Sequence, residues 1–233
     1  MKQQVKTRNK GFTLIELMVA MVVSIIVVAA IYSVHVSQTR VQITHEITLE
    51  LQESLRAVLS IMASEIRTAG ADPRESAGAG ILRATTDELW FTRDVTGGDI
   101  DGRPTFDGTT DNPSENIRYR ICPDGHLGRD IQGNDNDNDL EILLDNVGAL
   151  NFVYLDRNDD PINDPNDNIE KIRSITVTIL AESGQSDRGF LSRYRDDRDY
   201  ENAWGEPLLL AQNDNVRRLQ LSTNVTCRNL AAD

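Results

Sequence analysis

Apolar positions run almost unbroken from Phe12 to Val34, FTLIELMVAMVVSIIVVAAIYSV, and then thin into a spaced stripe. Ile47, Leu51, Leu55, Val58, Leu59, Met62 and Ile66 recur at helical intervals, while Glu46, Glu50, Glu53, Arg56 and Glu65 take the positions between. This is the period of an amphipathic helix. No Gly or Pro interrupts residues 12 to 69. The pattern therefore predicts one helix from about Phe12 to Thr68, ended by Gly70 and Pro73 and on the order of 85 Å long.

Beyond residue 73 the period changes to two. Ile117, Tyr119 and Ile121 alternate with Arg118, Arg120 and Cys122, and Ile175, Val177 and Ile179 alternate with Thr176 and Thr178. Both stretches predict half-buried strands. Leu89 to Val95, Leu150 to Leu155 and Arg217 to Thr226 are further strand candidates. The Pro123-Asp124-Gly125 turn should fold 117–122 back onto Leu127 to Ile131. Loops rich in Gly, Asp, Asn and Pro separate them, notably at 99–116 and 186–204. The expected fold class is α+β, with a long N-terminal transmembrane and amphipathic helix packed on an antiparallel β-sheet domain. The expected parts are a leader at 1–11, the helix at 12–70 and a β-rich globular domain at 71–233.

Charge divides the chain in the same places. Residues 1–11 carry Lys2, Lys6, Arg8 and Lys10 and no acid, whereas the whole chain sums to −13. Glu16 is the only formal charge between Phe12 and Val34, and those residues make roughly 35 Å of helix, enough to cross a bilayer core. No A-x-A-like cleavage site follows the run, so the segment reads as a retained anchor rather than a removed secretory signal. Basic residues on its amino side place 1–11 in the cytoplasm and the rest outside it. In that oxidising setting Cys122 and Cys227 can form a bridge, the alternative being two buried free thiols. The acidic exported part lacks the clustered Lys and Arg of a nucleic-acid binder.

The stretch KGFTLIELMVAMVVS resembles the N-terminal signal and helix of type IV pilins and of the pseudopilins of type II secretion, matching at Gly11, Phe12, Thr13, Leu14, Ile15 and Glu16. That resemblance implies cleavage between Gly11 and Phe12 by a membrane prepilin peptidase and N-methylation of Phe12. It also implies pairing of Glu16 with the first amine of a neighbouring subunit, which fixes register during assembly. Four later stretches, NIRYRICPDGHLGRDI, LLDNVGALNFVYLD, IRSITVTILAES and VRRLQLSTNVTCRNL, resemble PilW-like minor pilins and the related J pseudopilins. The implied partners are other minor and major pilins, the prepilin peptidase and the inner-membrane assembly platform. The implied location is the inner membrane, with a periplasmic domain, and then the pilus fibre. Where such sequences turn after Tyr-Leu-Asp, this chain carries an acidic insertion, DRNDDPINDPNDN, at 156–168.

Acid density raises a separate expectation. Twelve Asp and Glu fall between 130 and 170 against the single base Arg157. Alternating Asp, Asn and Glu can wrap a hard cation in oxygens, so Asp135, Asp137, Asp139 and Glu141, and Asp156, Asn158 and Asp160, are candidate Ca²⁺ ligands. Neither stretch is an EF-hand, because the sixth-position Gly and the twelfth-position Glu are missing. The alternative is a pair of solvated turns, with Asp139 capping a short helix through Leu143. No G-x-S-x-G, H-E-x-x-H, G-x-x-x-x-G-K-[ST] or C-x-x-C occurs, and the three His are scattered, so no enzyme activity is expected.

Overall fold

A computed structural model describes residues 11–95, 99–100, 103–104, 106–133, 140–184 and 194–230. Helix α1 spans Leu14–Ile66, 53 residues, close to the range its pattern predicts. The chain divides into two compact units, Met1–Glu46 and Ile47–Asp233. In the first, the helix is exposed all round: every large apolar side chain from Phe12 to Val34 is open.

In the second unit, α1 buries Leu55, Val58, Leu59, Met62 and Ile66, which is the expected stripe. The helix ends in a turn where Thr68 and Ala69 donate to the carbonyls of Glu65 and Ile66. Gly70 follows at φ +75°, and its amide donates to the Thr92 carbonyl at 2.9 Å. That positive φ calls for glycine, and a Cβ there would also press on Leu230 Cδ2 at 2.5 Å.

The strands described are β1 (Ile81–Ala84), β2 (Glu88–Thr92), β3 (Asp99–Ile100), β4 (Arg103–Pro104), β5 (Asn116–Ile121), β6 (Leu127–Asp130), β7 (Glu141–Leu144), β8 (Val147–Leu155), β9 (Ser174–Glu182), β10 (Tyr200–Glu201), β11 (Pro207–Leu209) and β12 (Arg218–Thr226). They form a five-stranded sheet in the order β1-β2-β5-β6-β7 and a three-stranded sheet in the order β12-β9-β8. The two-stranded pairs are β3-β4 and β10-β11, and every pairing of these strands is antiparallel. The β5–β6 hairpin turns at Pro123-Asp124-Gly125 as expected, with Gly125 at φ +84° and its amide bonded to the Cys122 carbonyl.

Two expectations change. β9 is buried on both faces from Ser174 to Ala181, although its alternation predicts a half-buried strand. Its threonines find polar partners there: Asn224 Nδ2 donates to Thr176 Oγ1 at 3.0 Å, and Thr178 Oγ1 shares a 2.9 Å bond with Ser222 Oγ. Asn151, opposite Thr178 in register, accepts a bond from Asn202 Nδ2, so the 200–206 segment lies over that face. The second change is at 141–144, which pairs with β6 as strand β7 rather than forming a helix through Leu143.

One helix residue expected on the polar side is buried instead. Glu65 is 7% exposed and receives Tyr119 Oη and two guanidinium nitrogens of Arg129, with Nε at 3.1 Å. Arg93 Nη2 stands 3.7 Å from its Oε1 and Arg93 Nη1 donates to Thr68 Oγ1 at 2.7 Å. Burial, reinforced by the Glu65 charge, pushes the Tyr119 phenol far above its usual range, so it remains a donor. Glu65→Ala removes the carboxylate that Tyr119, Arg93 and Arg129 share, leaving Arg129 its contact with the exposed Glu141. It should cost about 3–5 kcal/mol of stability, read as a lower denaturation midpoint of residues 47–233, and a loss within error of zero would count against this role.

Candidate functional site

The chain's chemistry concentrates at the start of α1. Gly11, Phe12 and Thr13 precede the helix in non-helical backbone, and Phe12 is 89% exposed. The Gly11–Phe12 bond is therefore outside the helix and open to another protein. Thr13 and Glu16 form a capping box. The Thr13 amide and hydroxyl both donate to Glu16 Oε2, at 3.0 and 2.9 Å, and the Glu16 amide donates back to Thr13 Oγ1 at 3.3 Å. Both bonds to the carboxylate end on the same oxygen, and Oε1 takes part in none of them. The role of Thr13 was legible as a T-x-x-E spacing before an apolar run, a signal hidden when Glu16 is considered only as a charge in lipid.

Below the cap the helix is long and apolar enough to cross a membrane, and none of its apolar first half is buried. Within it, Ser24 Oγ donates to the Ala20 carbonyl at 2.8 Å. Lipid or other helices must cover such a surface.

Residues 6–32 match the prokaryotic N-terminal methylation motif. None of the curated proteins matches the sequence. Among solved structures, a type IV-like pilin from Thermus thermophilus superposes with a TM-score of 0.52 at 16% identity, covering 78% of this chain and 99% of that one. The fold is type IV pilin-like. A pilin-like fold and a methylation motif together describe a structural subunit rather than a member of a known enzyme family.

The other candidate residues of this pilin-like chain form no common metal site among the described residues. Asp135, Asp137 and Asp139 lie outside the described residues. Glu141 is on β7 and holds Arg129 Nη1 at 2.8 Å. Asp156 is bonded to its own loop: Oδ1 accepts the amides of Asn158 and Asp160, at 2.8 and 3.0 Å, and those bonds hold its carboxyl below the usual range. Among the described residues, no group of three or more His, Cys, Asp or Glu side chains is placed to hold a metal ion.

Cys122 and Cys227 are both free thiols, so the bridge expected between them is not formed. Cys122 follows β5 of the five-stranded sheet and is partly exposed; Cys227 follows β12 of the other sheet and is buried. Burial pushes the Cys227 thiol up to about 12. A thiol-reactive aromatic disulfide at pH 8 should therefore label Cys122 first and Cys227 only after denaturant is added. Two unreactive cysteines before reduction would instead reveal a bridge.

Sequence patterns also missed a second polar knot. Arg218 is almost fully buried and binds Asp214 through Nη1 and Nη2, both at 2.8 Å, Asp196 at 3.0 Å and Glu182 at 2.7 Å. These contacts tie the 194–216 segment to β9 and β12. The Asp214 carboxyl is held below its usual range by its bond to Arg218.

Proposed function

We propose that this chain is a minor pilin of the PilW-like kind: a subunit stored in the inner membrane, processed between Gly11 and Phe12, methylated at Phe12, and used to prime fibre assembly at or near the pilus tip. The observation that carries this reading is the methylation motif at the head of a helix whose first half is apolar and exposed. The pilin-like fold and the likeness of four later stretches to PilW-like sequences support it.

Glu16 gives the reading its mechanism. A carboxylate in a hydrocarbon core costs about 2.5–3.5 kcal/mol on insertion scales. Thr13 occupies one oxygen and leaves Oε1 for an incoming donor. Cleavage at Gly11 creates a new cationic amine on each subunit, and the amine of a neighbour offsets the buried carboxylate only when the two helices stand in the right register. The anchor is then drawn from lipid into a core of like helices, and the domain beyond it faces neighbours or solvent. The periplasm is its place before assembly and the cell surface its place afterwards.

Glu16→Ala should be cleaved normally and incorporated poorly, measured as the ratio of subunit in sheared pili to subunit in membranes; wild-type incorporation would sink the register argument. The role as a whole is tested by a clean deletion in the host bacterium. Loss of surface pili by electron microscopy with normal protein secretion is expected. Normal pili with lost secretion would assign the chain to a type II secretion pseudopilus of the J type.

A further inference from the structure

Arginines of the second unit are drawn to aromatic rings. Arg83 and Arg118 lie over Trp90, each 5.4 Å from the ring centroid, Arg198 lies over Tyr200 at 5.4 Å, and Arg217 over Tyr194 at 4.1 Å. At Trp90 and at Tyr200 a carboxylate completes the grip: Glu88 bonds both Arg83 and Arg118, and Asp196 bonds Arg198. Ring and carboxylate hold a guanidinium by different means, the ring through its quadrupole and the acid through charge-assisted hydrogen bonds.

The turn between β10 and β11 carries the same two components without the guanidinium. Trp204 stands in it 38% exposed, and Glu201 and Glu206, both exposed, lie on either side in the chain. Among the described residues neither carboxylate has a cationic partner and no cation lies over the indole. Apart from the 2.8 Å bond from Asn202 Nδ2 to Glu206 Oε2, the two carboxylates make no hydrogen bond among the described residues.

The turn is also held still. Asn202 is buried beneath it, and its Oδ1 accepts the amides of Trp204 and Glu206 at 2.9 and 3.0 Å while its Nδ2 reaches Asn151 Oδ1 at 3.2 Å. The Asn202 amide donates to the Glu206 carbonyl at 2.9 Å, and Gln220 Nε2 on β12 donates to the Glu201 carbonyl at 2.8 Å. A surface fixed in this way loses little freedom when something binds to it.

We propose that the 201–206 turn is a docking site for an arginine presented by another protein, its guanidinium stacked on the Trp204 indole and bonded to Glu201 and Glu206. Charge selects the occupant, because two carboxylates beside one ring repel an anion and attract a cation. Of the two basic side chains, arginine has the planar, weakly hydrated head that can stack and fork its hydrogen bonds together, whereas an ammonium is a compact, strongly hydrated charge. Trp and Arg are also the residues enriched where protein interfaces hold most tightly. The site stands independently of the fibre reading.

The chain has two tryptophans, Trp90 and Trp204, so the full-length protein labelled with fluorotryptophan and held in detergent micelles gives two fluorine resonances, assigned by the loss of one in Trp204→Phe. Titration with the peptide acetyl-Leu-Arg-Leu-amide should move the Trp204 signal to saturation and leave that of Trp90, which already has two arginines over its ring, in place. The same peptide with neutral citrulline for arginine should bind about tenfold more weakly. The double substitution Glu201→Gln with Glu206→Gln should abolish the response; its new amide oxygen at 206 can still accept from Asn202, and an unmoved Trp90 signal verifies the fold. A Trp204 signal that does not move, that responds equally to the citrulline peptide, or that still responds in the folded double variant would each overturn the proposal.

Discussion

The Glu65 carboxylate is the interaction on which the domain's arrangement turns. It sits in the last turn of α1, next to its final residue, and gathers Tyr119 from β5, Arg129 from β6 and Arg93 from beyond β2. Burying a lone carboxylate is expensive, and the cost is offset only if its cations and phenol all arrive. Apolar contacts from Leu55, Met62 and Ile66 fix which face of the helix meets the core and leave its depth along the axis to be chosen. The ion cluster supplies that choice, because sliding the helix by a turn would strand every one of its charges.

The same helix meets two different environments. Up to Val34 its apolar residues run all round and remain exposed, whereas beyond Leu51 only one stripe is apolar and the sheets cover it. Glu16 and Glu65 are its two informative acids, and they differ in what satisfies them. Glu65 finds its partners on distant strands, while among the described residues Glu16 bonds to Thr13, through one carboxylate oxygen. On the reading proposed above, the first carboxylate to be met along the chain, Glu16, recognises a neighbour and the second, Glu65, fixes the fold.

The three-stranded sheet repeats the theme with the sign reversed. There the buried cation Arg218 gathers three acids and orders a long segment over β9. By absorbing the only charge of β12, it leaves the rest of that strand neutral. The acidity of the chain is otherwise displayed in loops such as 156–160, where Asp156 is bonded to nearby amides and stabilises a turn.

Local pattern determined the helix and six of the strands, whereas β1, β7 and β11 carried no clear alternation and β3, β4 and β10 lie in stretches that read as loops. An unbroken apolar run, a stripe at helical spacing, and the lack of Gly and Pro up to Gly70 sufficed for α1, because these properties act along the chain itself. The motif from Gly11 to Glu16 was legible for the same reason. Tertiary structure decided what depends on residues far apart in sequence. It turned Glu65 from a surface acid into a buried one, covered both faces of β9, kept Cys122 and Cys227 on different sheets, and left β12 at an edge. Periodicity shows which side chains share a face, whereas strand order and the meeting of distant charges fix what that face touches, and neither is written in any single window of sequence.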